Sequence, residues 1–481
     1  MQTERKIFKN TLLLSAGKGF GDLCSFIFLA YFGRIFGTTY LGKYSFAMAL
    51  AALLTIGASF GFNTLLVREV SKDEEKSQKF IGNLIIVRGI VAFLIWLLIG
   101  LGCYLSNLPS DTKYILVLIS GYHIFYRLAG LCFACFKAHD KMHYSAILEF
   151  FHKFLILVCG LGCIILFKNP ILALGSYPLS IVAVFLIAMV VYWKKFGTPV
   201  FSLDFPFIKQ SIKTGFPFFF IVIVGQIYDR AGIILLTYMK GESFSGIYSA
   251  SDRILVTLNA GILIFGGVLF PYMSKLSAKS KKDLLKLTER SIRFIGVVLF
   301  ALAMLIFILS DEIILLTFGG KFTESIKVLQ ILVWSLLFMG LNQIISIFLI
   351  VKYKEKKLLQ IRTVAYLCYC VISIILILKW SFVGLAWAKI LVEVALFFIT
   401  IFYAFDLEKA FKILLQMLRP FASCIICMIL YSFIQERSLW FSLPTVLGIY
   451  ISTLFLFKGI FYHDFMYLKD IVCGPRSEKS T

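Results

Sequence analysis

The sequence predicts an all-α polytopic membrane protein with about 14 transmembrane helices, arranged as two parallel six-helix lobes and two extra C-terminal helices. Its 60% hydrophobic residues and mean hydropathy of +0.91 lie outside the range of soluble proteins. The charged residues, 15% of the chain, cluster between apolar runs of about 20 residues, the length that crosses a bilayer core. A pattern of glycine, tyrosine and serine also recurs 204 residues further along the chain.

Fourteen apolar runs define the helices, and the connections between them are too short for a soluble domain. The predicted spans are residues 11–33, 43–66, 80–105, 114–136, 144–167, 170–192, 214–238, 245–272, 290–310, 325–351, 357–379, 382–405, 416–435 and 438–460. The predicted divisions are an N-lobe (1–192), a C-lobe (193–405), extra helices (406–460) and a cytoplasmic tail (461–481).

The internal repeat aligns the first predicted helix with the seventh. At the fixed offset, four glycine pairs coincide without a gap: Gly21/Gly225, Gly37/Gly241, Gly42/Gly246 and Gly57/Gly261. Six spans return the chain to the same side of the membrane, so the repeats are parallel, which favours a transporter that alternates access by rocking. The sequence predicts that Gly42 and Gly246 provide tight turns before the second helix of each lobe.

The distribution of basic residues predicts the orientation. Of the 48 Lys and Arg residues, 31 fall on the side that holds the N-terminus and nine on the opposite side. Basic loops face the cytoplasm, so both termini are predicted to be cytoplasmic in the cytoplasmic membrane. The net charge of +22 is thereby explained without nucleic acid, and the basic loops favour anionic lipid headgroups. The first helix contains Lys18 and Asp22 and is too long for a signal peptide, which indicates an uncleaved span.

Ionisable residues inside spans are candidates for the functional site, because each costs about 2.5 to 3.5 kcal/mol and normally faces a partner or a watery cavity. Three opposite-charge pairs lie four residues apart, on one helix face, and can be structural: Lys18/Asp22, Glu149/Lys153 and Lys389/Glu393. For Lys18 and Asp22 a functional interpretation stays open beside the structural one.

Two arginines, Arg88 and Arg127, have no acidic neighbour at helical spacing. A guanidinium group does not lose its proton in proteins, so each needs an anion, carbonyl groups or water. One interpretation is snorkelling or capping of carbonyls. The other is that both face a central cavity and bind phosphate through the forked donor geometry of arginine.

Two acid-base doublets, Asp229-Arg230 and Asp252-Arg253, lie in the first hairpin of the second lobe. Adjacent helix residues point about 100° apart and pair poorly, so the sequence predicts a cross-helix bridge, Asp229/Arg253 or Arg230/Asp252. Such a bridge is either static or breaks and reforms during transport.

These charges form the candidate site. The predicted substrate-binding residues are Lys18, Arg88, Arg127, Arg230 and Arg253. The predicted ion-coupling or gating residues are Asp22, Asp229 and Asp252. The five histidines form no metal-ligand pattern and no nucleotide-binding loop is present, so no metal or other cofactor is expected. Coupling to a proton or sodium gradient stays open, with Asp22 or Asp252 as carrier.

The segments FGRIFGTTYLGKYSFA and GFNTLLVREVSKD, with the repeat at 213–275, resemble the polysaccharide and oligosaccharide flippase (O-antigen transporter-like) branch of the multidrug/oligosaccharidyl-lipid/polysaccharide exporter superfamily. The resemblance implies a V-shaped, MATE-like pair of lobes that exports polyprenyl-pyrophosphate-linked saccharides. It also implies that cationic cavity residues, for which Lys18, Arg88 and Arg127 are candidates, handle the pyrophosphate and sugar while the polyprenyl tail stays in lipid. Fourteen spans also resemble the peptidoglycan-precursor and sporulation branches.

The sequence therefore supports the hypothesis of a flippase rather than an enzyme. The expected partners are the lipid-linked saccharide, membrane lipids, a polysaccharide polymerase and glycosyltransferases. Alternatives are a lipid II-type flippase, a drug/cation antiporter, or a membrane polymerase or transferase. An antiporter site should favour acidic and aromatic residues, whereas the unpaired charges here are basic. An enzyme usually needs a large outer loop or a cluster of histidine and acid, and neither is visible.

Overall fold

A computed structural model describes residues 2–434 and 439–456, and these residues form helices without a β-strand. The side chain of Lys18 and the predicted tail from residue 461 lie outside the described residues. The helices are α1 (Gln2–Leu54), α2 (Phe62–Val70), α3 (Ser77–Leu105), α4 (Ser110–Ala138), α5 (Met142–Phe167), α6 (Pro170–Leu174), α7 (Ser176–Phe196), α8 (Phe205–Lys240), α9 (Glu242–Lys279), α10 (Lys281–Ile308), α11 (Ser310–Thr317), α12 (Thr323–Val351), α13 (Glu355–Ala404), α14 (Leu407–Ile434) and α15 (Leu439–Leu456).

Eleven helical stretches among the described residues are long and apolar enough to cross a membrane. Two of them are double, because α1 contains non-helical backbone at Gly37 and α13 at Ser381. The 18-residue helix α15 adds a further span and brings the number to fourteen. The predicted all-α polytopic fold with about 14 helices is confirmed, as expected where only a helix or a closed barrel can satisfy the backbone in lipid.

Two predicted helices are interrupted. The predicted span 43–66 stops at a 3-10 helix, Thr55–Ala58, and then passes through positive φ angles at Phe60 (42°) and Gly61 (69°) before α2 begins. The predicted span 170–192 is divided between α6 and α7. Hydropathy predicts neither interruption, because the residues on both sides are equally apolar.

The two hairpin turns lie at repeat-related glycines. Gly37 has φ 83° and ψ −174°, and Gly241 has φ 106° and ψ 172°. This region of backbone conformation disfavours residues with a Cβ atom, so glycine is required at both turns. The similar geometry supports the internal repeat. The prediction that Gly42 and Gly246 make the turns is wrong, because both lie inside helices, α1 and α9.

Gly42 and Gly246 instead allow a close crossing of α1 and α9. A Cβ atom on Gly42 would overlap the carbonyl oxygen of Glu242, and one on Gly246 would overlap the carbonyl oxygen of Thr38. Thr38 and Glu242 are also related by the repeat offset, so the contact is reciprocal. Beside it, the hydroxyl groups of Thr38 and Ser243 share a 2.8 Å hydrogen bond.

The chain divides into two compact units. The first contains the chain up to Thr257 together with Thr317–Phe322 and Cys370–Leu385, and within it α1 packs on α5 and α4 packs on α7. The second contains Leu258–Leu316, Thr323–Tyr369 and the chain from Ala386, with a core formed mainly by α10, α12 and α14. The predicted lobe boundaries stay a prediction.

The linker between α7 and α8, residues 197–204, is held on the start of α3. Asn83 donates to the Ser202 hydroxyl (3.3 Å) and accepts from the backbone amide of Asp204 (3.1 Å). The Lys79 ammonium group lies 2.6 Å from the Asp204 carboxylate, and this hydrogen bond holds the pKa of Asp204 below its usual range. The linker is therefore an ordered part of the first unit.

We expect Asn83→Ala to increase amide hydrogen exchange across residues 197–204, because the change removes both side-chain bonds to the linker. The matched control is Asn107→Ala, in the exposed connection between α3 and α4. Equal exchange in the two variants would contradict the assignment.

The depressed pKa of the Asp204 carboxyl group also predicts how stability depends on pH. A depressed carboxyl pKa stabilises the fold above the unfolded value of about 4, and this contribution is lost as the pH falls through the folded value. Amide exchange of the linker, corrected for its intrinsic pH dependence, should thus stay constant between about pH 6 and 8.

Candidate functional site

Backbone carbonyl groups at the interruption after α1 accept hydrogen bonds from two arginines. Arg127 Nη2 donates to the carbonyl oxygen of Ala52 (2.9 Å), and Arg88 Nη2 donates to that of Ser59 (3.1 Å). Buried backbone groups at a helix end need such partners, because an unpaired carbonyl costs free energy. Capping of carbonyl groups, one of the two interpretations drawn from the sequence, is thus part of the role of both arginines.

Arg88 is enclosed by protein. Its side chain is 1% exposed, and its Nη1 donates to Asn63 Oδ1 (2.9 Å) and to the carbonyl oxygen of Arg127 (2.6 Å). The guanidinium group lies 5.6 Å from the ring centre of Phe62. These contacts join α2, α3 and α4, so Arg88 organises the interruption while contributing little accessible surface to a ligand.

Arg127 is more accessible and combines two tasks. Besides the Ala52 contact, its Nε donates to Thr55 Oγ1 (3.1 Å) and its Nη1 to Ser59 Oγ (2.5 Å). A guanidinium group has five N–H donors, so these three bonds to described residues leave two. Arg127 also lines a cavity of about 650 Å³. Its position is fixed by the interruption, and its remaining donors are available to an anion.

The cavity is predominantly basic. Four basic side chains and one acidic side chain line it: Arg68, Arg88, Arg127, Lys137 and Glu149. The Arg68 guanidinium group forms an exposed 2.8 Å ion pair with Glu69, and the Tyr126 ring, 40% exposed, forms part of the wall. Clustered guanidinium and ammonium groups attract phosphate oxygens, and the arrangement is therefore suited to an anionic ligand.

Sequence reasoning missed Arg68, Lys137, Tyr126 and Glu149 as cavity residues. The two cations lie just beyond the predicted spans 43–66 and 114–136, although α2 and α4 extend through them. A helical signal was present, since Gly130, Ala134 and Lys137 follow Arg127 by three, seven and ten residues and lie with it on one face of α4. Their shared face could have linked Lys137 to Arg127.

Lys153 pairs across helices rather than along its own. Its ammonium group forms an ion pair with Asp22 of α1 instead of the predicted pair with Glu149, four residues earlier on α5. The Glu149 side chain instead lines the cavity. In the second unit, Glu393 accepts a 2.9 Å hydrogen bond from Asn342.

The charges of α8 and α9 lie apart from the cavity. Arg253 Nη2 donates to the Tyr44 hydroxyl (3.2 Å), which shares a 2.8 Å hydrogen bond with the Tyr177 hydroxyl. Arg230 and Asp252 are half-buried and Asp229 is exposed. None of the four predicted charges is among the described residues that line the 650 Å³ cavity. The structure thus brings Arg88 and Arg127 together, whereas the cross-helix bridges of α8 and α9 stay predictions.

A partly buried ion network joins α1, α4 and α9 beside the close crossing of α1 and α9. Lys43 is 7% exposed, and its ammonium group lies 3.1 Å from the Asp111 carboxylate and 4.0 Å from that of Glu242. Thr112 donates to the same Glu242 carboxylate. Lys43 and Glu242 follow the two hairpin turns, so this network ties the paired hairpins to the start of α4.

A family model described as polysaccharide biosynthesis protein matches residues 7–277. A putative O-antigen transporter of Shigella dysenteriae is 24% identical over 289 residues, which cover 58% of this chain and 70% of the relative. The capsular polysaccharide biosynthesis protein CapF of Staphylococcus aureus is 21% identical over 394 residues, 81% and 96% of the two chains. Among solved structures, the inward closed conformation of the lipid II flippase MurJ matches with a TM-score of 0.74 and 17% identity, covering 95% of this chain and all of MurJ. That likeness establishes the fold.

Proposed function

The chain belongs to the polysaccharide biosynthesis protein family, and on that premise we propose that it moves a polyprenyl-pyrophosphate-linked oligosaccharide across the cytoplasmic membrane by alternating access. The names of its two relatives, an O-antigen transporter and a capsular polysaccharide biosynthesis protein, support a substrate that is a precursor of cell-surface polysaccharide. The multi-pass helical fold supports transport as the activity.

The observation that carries the proposal is the basic cavity at the interrupted helix. A pyrophosphate group that enters a region of low dielectric constant needs several hydrogen-bond donors. Arg127 supplies a fixed guanidinium group, and Arg68 and Lys137 line the same cavity. Tyr126 offers an aromatic face and Glu149 offers acceptors for sugar hydroxyl groups. The polyprenyl tail stays in lipid. The same cavity thus contains groups suited to both parts of the polar head.

The transport cycle completes the proposal. The lobes 1–192 and 193–405 rock against each other, and the helices of 406–460 lie outside this motion. Both termini face the cytoplasm. The substrate contacts Lys18, Arg230 and Arg253 in other stages of the cycle. Asp229 contributes to gating. A proton or sodium gradient drives transport, with Asp22 or Asp252 as carrier. A polymerase and glycosyltransferases act before or after the flipping step.

Two other substrates fit the same fold to different degrees. A lipid II-type precursor shares the pyrophosphate and sugar chemistry and would use the same cavity. A cationic drug would meet four basic side chains and one carboxylate, which is unfavourable by charge. The family and fold are those of transporters and flippases, and the proposal includes no catalytic step.

The test uses the full chain reconstituted in proteoliposomes with a fluorescent polyprenyl-pyrophosphate-linked saccharide. We expect the chain to move the saccharide head between leaflets, as measured by its loss of accessibility to a membrane-impermeant quencher or glycosidase. A polyprenyl pyrophosphate without sugar should compete, because it retains the anionic group. Transport of an organic cation without transport of the lipid-linked saccharide would favour the antiporter and overturn the proposal.

A further inference from the structure

A groove of about 890 Å³ lies between α3, α4 and the α6–α7 segment. It shares no lining residue with the charged cavity. Ser110, Lys113 and Asn169 line it where α4 and α6 begin, and the remaining lining side chains are apolar or aromatic. Its volume is within the range of about 300 to 1,000 Å³ typical of small-molecule sites. The groove therefore has a polar mouth and an apolar interior.

The groove follows α4 from Ser110 to Phe125. At about 1.5 Å per residue this distance is about 22 Å along the helix axis. One leaflet accounts for half of a hydrocarbon core of about 30 Å, so the groove extends from the headgroup level to near the bilayer centre. The depth matches one lipid chain of a single leaflet.

The mouth of the groove has the charge and the aromatic residues expected at the membrane surface. Lys113 is its cation, and a basic residue close to the membrane contributes about 1 kcal/mol toward binding an anionic headgroup. Tyr104 and Tyr114 are 81% and 66% exposed, and tyrosines of this kind are enriched where hydrocarbon meets water. The polar end is thus complementary to a lipid phosphate.

We propose that this groove binds an anionic membrane phospholipid, with one acyl chain against Trp96, Val117 and Phe125 and the headgroup phosphate at Lys113. Phospholipid is the occupant because the lining helices span the membrane, where it is the surrounding solvent. The site stands independently of the transported substrate. The site gives the chain a selective contact with phospholipids of the leaflet that contains the groove.

Trp96 provides a reporter at the floor of the groove, where its indole Nε1 donates to the carbonyl oxygen of Val117 (3.1 Å). The test uses the full chain with the other five tryptophans changed to phenylalanine, in vesicles containing brominated phosphatidylglycerol or brominated phosphatidylcholine. We expect the anionic lipid to bind about fivefold more tightly, the factor that corresponds to one lysine contact with a headgroup. Lys113→Gln should remove this preference, whereas Lys327→Gln, an exposed lysine on α12, should retain it.

A second pair of variants tests the apolar interior. Gly121→Leu should reduce quenching by both lipids, since it adds a side chain inside the groove next to Trp96. Gly162→Leu on α5, where a Cβ atom meets open space, is the matched control. Equal quenching by the two lipids, or a preference that survives Lys113→Gln, would overturn the proposal. Displacement of the brominated phospholipid by an equal fraction of polyprenyl phosphate would also overturn it, by identifying the groove as a site for the substrate tail.

Discussion

Gly246→Val should abolish transport and leave a helical protein in the membrane. The new side chain would begin where the carbonyl oxygen of Thr38 now lies, so α1 and α9 could not cross as they do. Overpacking of this kind costs about 1 to 3 kcal/mol and occasionally more, which shifts a conformational equilibrium about 5- to 150-fold. Gly42→Val should have the same effect, because it meets the carbonyl oxygen of Glu242 in the reciprocal contact.

The crossing can be measured directly with cysteines at positions 38 and 243, whose native hydroxyl groups are 2.8 Å apart, in a variant without the eleven native cysteines. We expect efficient disulfide formation in this variant and little when Gly246→Val is added. Gly225→Val is the matched control, because it makes the same change on α8 where a Cβ atom meets nothing within 4 Å. Normal cross-linking together with normal transport in Gly246→Val would show that the close crossing is dispensable.

Hydropathy was sufficient to predict an all-helical polytopic fold, because a bilayer leaves helices and closed barrels as the only spanning structures. The repeat offset also relates Gly37 to Gly241, and the two glycines have similar backbone at the two hairpin turns. It did not distinguish a turn glycine from a packing glycine. Gly42 and Gly246 have equally small side chains, and their role depends on which carbonyl group lies opposite in the folded protein.

The candidate site was predictable only in part. Arg88 and Arg127 were identified because a charged residue inside a membrane span is costly, and such residues are visible in the sequence. Their partners depend on the interruption at residues 55–61, which composition does not predict because the flanking residues are also apolar. Lys137 lies one residue beyond the predicted span 114–136, although α4 continues to Ala138 and places it on the same helix face as Arg127.

Arg127→Gln should reduce transport at least about tenfold, because it removes a cation that lines the cavity. A hydrogen bond to a charged group is worth about 1.5 to 3 kcal/mol, which corresponds to about 10- to 150-fold. Arg127→Lys should recover part of the activity, since it restores a charge without the forked geometry. The measurement is the initial rate of saccharide flipping for each variant, divided by the amount of folded protein.

Arg88→Gln is the informative comparison for that experiment, because each variant removes one positive charge that donates to a carbonyl group at the same interruption. Arg88 is 1% exposed and donates hydrogen bonds to Asn63 Oδ1 and to the carbonyl oxygens of Ser59 and Arg127. Its removal should therefore mainly lower thermal stability. A buried acceptor left unpaired costs about 1 to 3 kcal/mol, and this cost falls mainly on Asn63 Oδ1, because the Ser59 carbonyl also accepts from the Phe62 amide. The rate for each folded Arg88→Gln molecule should then exceed that of Arg127→Gln. Full activity in Arg127→Gln, or equal loss of stability without a difference in rate, would reduce Arg127 to a second structural cap and leave Arg68 and Lys137 as the residues to test for pyrophosphate binding.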